Sequence, residues 1–272
     1  MIKILIAGLP GEMATTFVKH ALKEKEIEII NHSITGVDTE ITECIIDGSI
    51  FKLIRANDKE RINKLFNDNK SIIVVDYTEP LVVESNIDLY CRKKVNFIMG
   101  TTGVVINKVF DKIVESDICA IIAPNMGKQI VAMQAMIEYA AENFPDCFKN
   151  YKLTIRESHQ SAKLDTSGTA RAMIGFFNKL GMKYCEDEII KHRKPNEQIE
   201  LGVPEEHLNG HGWHTYTFSS ADESIYIEIT HNVNGRDIYA KGTVDSIYYL
   251  DAKIKNGVKG AIFQMIDVLK NM

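Results

Sequence analysis

The opening residues MIKILIAGLPGEM constrain the fold more than any other stretch. Ile2–Ala7 is a β-branched run that stops at Gly8, and Gly11 follows just before helical spacing near 13–24. A strand that runs through a glycine turn into a helix can bring backbone amides against a pyrophosphate, whose charge the helix N-terminus favours. Gly8 and Gly11 satisfy the G-x-G-x-x-G pattern only in part, so an ordinary strand-to-helix turn stays open at this level.

The same rhythm then repeats. Apolar runs at 27–30, 72–75, 96–99 and 118–122 alternate with helical patterns near 57–67, 80–93 and 106–116. This predicts an α/β chain with a Rossmann-type, doubly wound parallel sheet covered by helices on both faces. Near residue 125 the rhythm changes: a helix is predicted over 129–143, then strands at 152–157, 213–219, 225–231 and 239–244. Val258, Ala261, Ile262, Met265, Ile266 and Leu269 share one helical face and predict a final helix that packs back on the first domain. The expected organisation is a dinucleotide-binding domain over 1–127 plus 241–272, and a second α+β domain with a mixed sheet over 128–240 for substrate binding and oligomerisation.

Composition narrows the classes of partner. A net charge of −5 on 272 residues leaves no electrostatic footprint for nucleic acid or an anionic membrane. No apolar run approaches membrane-spanning length, and the opening run is too short for a signal-peptide core. The five cysteines are scattered, odd in number and never in a CxxC pair, which fits a reducing compartment. The expectation is a soluble cytoplasmic protein with neither a nucleic-acid nor a membrane partner.

Open α/β sheets bind their ligands at the carboxyl ends of their strands. Besides Gly8, Gly11, Glu12 and Met13 of the first turn, three such ends carry candidate cofactor residues: Tyr77 and Thr78 in DYTEP, Gly100, Thr101 and Thr102 in GTTG, and Pro124, Asn125 and Met126. Four turns on one rim predict a nucleotide crevice. The second strand is expected to end at Asn31, His32 and Ser33, where Ser33 or Thr35 can donate to a phosphate while Glu12 opposes one. NADPH and NADH are both admitted, with NADH used at least comparably.

The stretch RESHQSAKLDTSGTA gathers the remaining chemistry. Arg156 and Glu157 end a predicted strand, His159 and Lys163 lie four apart in a connecting loop, and Ser167, Gly168 and Thr169 start a helix running to about Gly181. A helix start with a glycine and two hydroxyls binds a carboxylate, and Lys163 adds charge and a transferable proton. The pattern is a site for a small dianion. His207, His211 and His214 in EEHLNGHGWH raise a zinc site, but Gly210 and Gly212 argue against one helical face, and no metal is expected.

Taken jointly, these motifs resemble the dihydrodipicolinate reductase family over nearly the whole chain. The family's glycine turn with its methionine is GLPGEM here, D-[FY]-T-x-P is DYTEP, and GTTG and APN are unchanged. The signature E-x-H-H-x-x-K-x-D-A-P-S-G-T-A is present in altered form as ESHQSAKLDTSGTA. Gln160 replaces the second histidine, and Thr166 replaces an Ala-Pro pair with one residue fewer. These changes, with NMGKQIVA, LGVPEEHL and HNVNGRDIYA, are similar to the plant-type branch, whereas Glu12 stands where many members carry a basic residue.

The resemblance implies NAD(P)H-dependent reduction of 4-hydroxy-tetrahydrodipicolinate to tetrahydrodipicolinate, in diaminopimelate and lysine biosynthesis, by a homo-oligomer (dimer or tetramer). It implies catalytic roles for His159 and Lys163, and substrate contacts from Ser167, Gly168, Thr169 and Arg236, whose guanidinium can pair a carboxylate bidentately. Two other classes share the N-terminal features. Another Rossmann dehydrogenase would lack the joined His159, Lys163 and Ser167-Gly168-Thr169 cluster; a nicotinamide-binding sensor would need no proton donor.

Overall fold

The computed structural model describes residues 1–101, 106–163 and 165–271. Thr102 therefore lies outside the described residues. The chain divides into two compact units, one of Met1–Lys128 with Asp237–Met272 and one of Gln129–Arg236.

The first unit begins β1 (Ile2–Ala7), α1 (Glu12–Ala21), β2 (Ile27–Thr35), β3 (Glu43–Ile46), β4 (Ser49–Arg55), α2 (Lys59–Asp68) and β5 (Ile73–Asp76). It continues α3 (Val83–Lys93), β6 (Asn96–Met99), α4 (Ile106–Glu115) and β7 (Cys119–Ile122). The second unit holds α5 (Lys128–Asn143), β8 (Lys152–His159), α6 (Gly168–Lys179), β9 (Ile190–His192), α7 (Pro195–Glu200), β10 (His211–Ser219) and β11 (Tyr226–Asn234). The chain then returns to the first unit as α8 (Asp237–Lys255), β12 (Ala261–Phe263) and α9 (Met265–Leu269).

The first unit is built on an eight-stranded sheet in the order β12-β7-β6-β5-β1-β2-β4-β3. Its ladders are parallel except for the β3–β4 hairpin. Strands buried on both faces need apolar residues at nearly every position, and β5 and β7 are buried throughout. One core joins Leu5, Val74 and Phe97 of the sheet to Phe66, Ile87 and Tyr90 of α2 and α3. Elsewhere in this unit α1 packs against α8.

Two predicted elements differ from what forms. Residues 239–244 are not a strand but the start of α8, whose buried Ala240, Thr243, Val244, Ile247 and Leu250 recur at helical spacing. The small residues Gly242 and Ser246 let that helix sit close to its neighbours, and this packing outweighs the local β-branched character. Nor is 258–269 one helix. Gly260 takes φ 58°, a left-handed conformation that stops a helix, and a Cβ there would lie 2.8 Å from the carbonyl oxygen of Val114. The chain instead adds β12 to β7 as a parallel strand before the short α9.

The second unit carries a four-stranded mixed sheet, β11-β10-β8-β9, antiparallel except for the β8–β9 pair. Alternation along β8 and β10 turns Leu153, Ile155, Tyr216 and Phe218 toward a core shared with Met173 and Phe177 of α6. On the same strand faces, two and four residues on from Ile155 and two back from Tyr216, stand Glu157, His159 and His214. The period of two thus carries a stripe of ionisable groups off the end of an apolar core.

Candidate nucleotide and substrate sites

In the first unit β1 ends where Gly8 adopts φ 113°, and its amide donates to Ile34 O at 2.8 Å. A Cβ at Gly8 would lie 2.6 Å from the carbonyl oxygen of Tyr77, so only glycine brings the turn this near the next strand end. Gly11 donates to Gly8 O at 2.8 Å and precedes α1, which sets Glu12 and Met13 in the helix's first turn. Backbone amides at a helix start beside a glycine turn are the equipment a pyrophosphate requires.

The DYTEP turn is held from below. Buried Asp76 accepts from Thr78 N at 2.8 Å, Thr78 Oγ1 at 2.6 Å, Asn86 Nδ2 at 3.0 Å and Tyr90 Oη at 2.7 Å. Thr101 Oγ1 donates to Thr78 O at 2.9 Å, and the Tyr77 hydroxyl pairs with Thr243. A cavity of about 310 Å³ opens at these strand ends. Met13, Tyr77, Thr78, Gly100, Thr101, Pro124 and Met126 line it, as do Pro80 of DYTEP and Tyr239, which was not among the candidate cofactor residues. Asn125 accepts from Gly127 N at 2.8 Å and shapes the neighbouring turn.

Ser33 is placed differently from the expectation. β2 runs on to Thr35, so Ser33 lies inside the strand, fully buried, its hydroxyl accepting from Leu9 N at 3.3 Å. It braces the glycine turn from beneath and does not present a donor to a ribose phosphate.

In the second unit His159 closes β8 and so belongs to the strand, not to the following loop. Its Nδ1 lies 3.1 Å from the carbonyl oxygen of His211, so Nδ1 carries the proton and Nε2 holds a lone pair. His214 Nε2 stands 3.4 Å from that nitrogen and 3.8 Å from Glu157 Oε2. Burial, then the charges of Arg193 and Lys163, push the His159 imidazolium down to about 3. Burial also holds His214 well below the usual histidine range. These imidazoles are neutral at physiological pH.

Lys163 is a quarter exposed, and its Nζ meets Asp165 Oδ1 at 2.8 Å. That bond draws Asp165 below the usual carboxylate range. Ser167 caps α6 by accepting from Thr169 N at 3.2 Å, while its own amide donates to Glu157 Oε2 at 3.2 Å. The Ser167 amide and one acceptor site of its hydroxyl are therefore engaged within the fold. Gly168 is exposed and a Cβ on it would meet nothing within 4 Å, so space is open beside the first residue of α6. Arg236 lies beyond β11, with its Nη2 3.5 Å from Asn209 O and its guanidinium packed over Gly210, where a Cβ would come within 2.6 Å.

Glu157, His159 and His214 bring three ligand atoms within 4.8 Å of one another. Glu157 is already engaged by the Arg193 guanidinium and the Ser167 amide, so the group is a hydrogen-bonded support for the loop. Of the three histidines in EEHLNGHGWH, only His214 belongs to it. His211 donates to His207 O at 3.1 Å and meets Ser158 Oγ at 2.8 Å.

Arg193 and Gln198 are the residues the motifs did not announce. Arg193 Nε donates to Lys163 O at 2.7 Å, its guanidinium also pairs with buried Glu157, and Gln198 Nε2 donates to His159 O at 2.7 Å. In KHRKPNEQ they read as one more polar segment; their only signal is Pro195 opening a helix beside a basic run.

A parallel-sheet unit with a glycine turn at its first strand end, followed by a mixed-sheet unit with a lysine five residues before a helix start, is the architecture of a pyridine-nucleotide-dependent reductase. The chain belongs to the dihydrodipicolinate reductase family: the model of the family's N-terminus matches residues 2–126 and that of its C-terminus residues 129–269. It is 41% identical over 271 residues to 4-hydroxy-tetrahydrodipicolinate reductase 1, chloroplastic, of Arabidopsis thaliana, covering 99% of this chain and 78% of that one. It is 27% identical to the 4-hydroxy-tetrahydrodipicolinate reductase of Methanococcus aeolicus, covering 99% and 98%. In fold it is similar to the dipicolinate-bound dihydrodipicolinate reductase of Paenisporosarcina sp. TG-14, with a TM-score of 0.66 at 19% identity, covering 97% of this chain and 98% of that one.

Proposed function

We propose that the chain reduces 4-hydroxy-tetrahydrodipicolinate to tetrahydrodipicolinate, with Lys163 as the proton donor and His159 as the residue that orients the loop. The observation that carries this reading is a partly exposed ammonium, Lys163, five residues ahead of the exposed first residue of α6, Gly168. An ammonium and a helix N-terminus together suit a dicarboxylate.

Loss of water from the 4-hydroxy ring leaves a conjugated imine. Reduced nicotinamide, when bound, supplies two electrons as hydride to the ring carbon that carried the hydroxyl. One proton must then reach the adjacent carbon. His159 is a poor source: its Nε2 holds a lone pair and its imidazolium forms only near pH 3. The Lys163 ammonium offers N–H protons, one of which it donates to Asp165 Oδ1 at 2.8 Å in the absence of substrate. Arg236 and Thr169 complete the substrate contacts in this reading.

Gly8, Gly11, Met13, Tyr77, Thr78, Gly100, Thr101, Pro124, Asn125 and Met126 hold the nucleotide. NADH serves at least comparably with NADPH, since Glu12 opens α1 and Ser33 is neutral and buried. No helix among the described residues is long and apolar enough to cross a membrane, and the five cysteines are free, which supports work in the reducing cytoplasm. Met136, Tyr139 and Phe144 leave exposed apolar surface on and just after α5, which supports a homo-oligomer, dimer or tetramer. The test is a coupled assay supplying the condensation product of pyruvate and aspartate semialdehyde: absorbance of the reduced nucleotide should fall, and no fall with either nucleotide contradicts the proposal.

A further inference from the structure

β2 and β4 are parallel neighbours that stop at the same level of the sheet, with Thr35 opposite Arg55 in the ladder. In a nucleotide-binding sheet of this kind, the carboxyl end of the second strand faces the adenosine ribose. The acid or base that reads the 2′ position is usually sought in the residues that follow that strand. Here they are Gly36, Val37 and Asp38, and the basic side chain at that rim comes from the neighbouring strand instead.

Arg55 is exposed, and its Nε donates to Thr39 O at 2.8 Å. Thr39 Oγ1 in turn lies 2.9 Å from Thr35 Oγ1, so the guanidinium is tied to the loop that leaves β2. Among the described residues no carboxylate lies within ion-pair distance of Arg55. A guanidinium held by Nε keeps its two terminal amino groups in a fork that matches a phosphate. The next residue, Ala56, begins a cavity of about 510 Å³ bounded by Lys59 and Ile62 of α2 and by Ser85 and Leu89 of α3. That is ample for a purine.

We infer that Arg55, steadied by Thr39, forms the subsite for the 2′-phosphate of NADPH and so lets a chain with Glu12 at the start of α1 use both nucleotides. The assignment rests on the proposed nicotinamide cofactor. It supplies from β4 the positive charge that positions 12 and 33 lack.

Calorimetric titration of the full chain with NADPH, NADH, adenosine 2′,5′-bisphosphate and AMP tests it without turnover. Wild type should bind NADPH and NADH with affinities within about tenfold of each other, and Arg55→Ala should weaken NADPH and the bisphosphate by about ten- to a hundredfold. NADH and AMP should change by less than about threefold, which also reports that the variant is folded. Arg55→Lys should recover part of the loss. Equal weakening of both nucleotides, or unchanged NADPH affinity in Arg55→Ala, overturns the assignment. So does wild type that binds NADH but not NADPH, while wild type that binds neither overturns the cofactor reading itself, and the Arg55 subsite with it.

Discussion

Arg193 donates from Nε to the carbonyl oxygen of Lys163 at 2.7 Å, while its guanidinium pairs with Glu157, whose side chain is fully buried. One side chain thus fixes the backbone of the Lys163 loop to the strand that carries His159. A second tie, from Ser167 N to Glu157, fixes the start of α6 to the same carboxylate.

Arg193→Ala should therefore act on both substrate binding and folding. Removing Arg193 leaves Glu157 a buried carboxylate without its counter-charge, with the Ser167 amide still donating to it, which costs about 3 to 5 kcal/mol. In the fraction that folds, KM for the dicarboxylate should rise and kcat fall by about tenfold or more, because the ammonium of Lys163 is no longer held in place. Nucleotide affinity should be unchanged. Urea unfolding together with steady-state kinetics reads both effects, and a normal KM would contradict the clamp.

The buried imidazoles give stability a definite acid slope. His159 titrates near 3 and His231 near 4 in the fold, in each case chiefly through burial. A histidine whose folded pKa is depressed leaves the unfolded chain binding more protons, so stability is complete above about pH 6.5 and is lost as pH falls toward the folded value. At pH 5 His159 alone should account for about 2 kcal/mol of that loss. Thermal melts between pH 7.5 and 4.5 should show Tm falling steadily below about pH 6.5. A flat profile over that range would mean these imidazoles are not neutral and buried as described.

Gly8→Ala tests the nucleotide cradle. Its φ of 113° and a Cβ 2.6 Å from Tyr77 O make any side chain there a source of strain, about 1 to 3 kcal/mol. The variant should melt lower and lose about tenfold or more in affinity for both nucleotides, as the turn shifts away from the pyrophosphate position. Unaltered nucleotide affinity in a folded variant would remove Gly8 from the site.

Local patterning carries much of this architecture, and its failures have identifiable causes. The strand Ile2–Ala7 and its glycine turn are legible because burial on both faces demands an unbroken apolar run and the close approach to Tyr77 demands glycine. The hairpin of β3 and β4 has its signal in Asp47-Gly48, both at positive φ, but that two-residue turn is easily lost between short strands of mixed polarity. α8 misleads because Tyr239 to Val244 looks β-branched and aromatic locally, whereas its burial is set by α1 and the sheet. At the candidate substrate site, Lys163 and the α6 start stand together in fifteen residues of sequence and are legible for that reason. Arg193 reaches the Lys163 loop and Gln198 the end of β8 from about thirty to forty residues downstream, just after β9 and on α7, and little in their own neighbourhood marks them.

The division of labour between Lys163 and His159 is the centre of the account, and steady-state kinetics of Lys163→Ala beside His159→Ala tests it most directly. Both variants are first shown to be folded by circular dichroism and nucleotide binding. Lys163→Ala loses a charge-assisted contact and the proton donor together, so turnover should fall by roughly two to four orders of magnitude with a raised KM. His159→Ala should lower turnover with much less effect on KM, since a neutral imidazole does little to hold a dianion. Near-normal turnover and KM in Lys163→Ala would contradict the mechanism at its centre and leave the loop a structural connector.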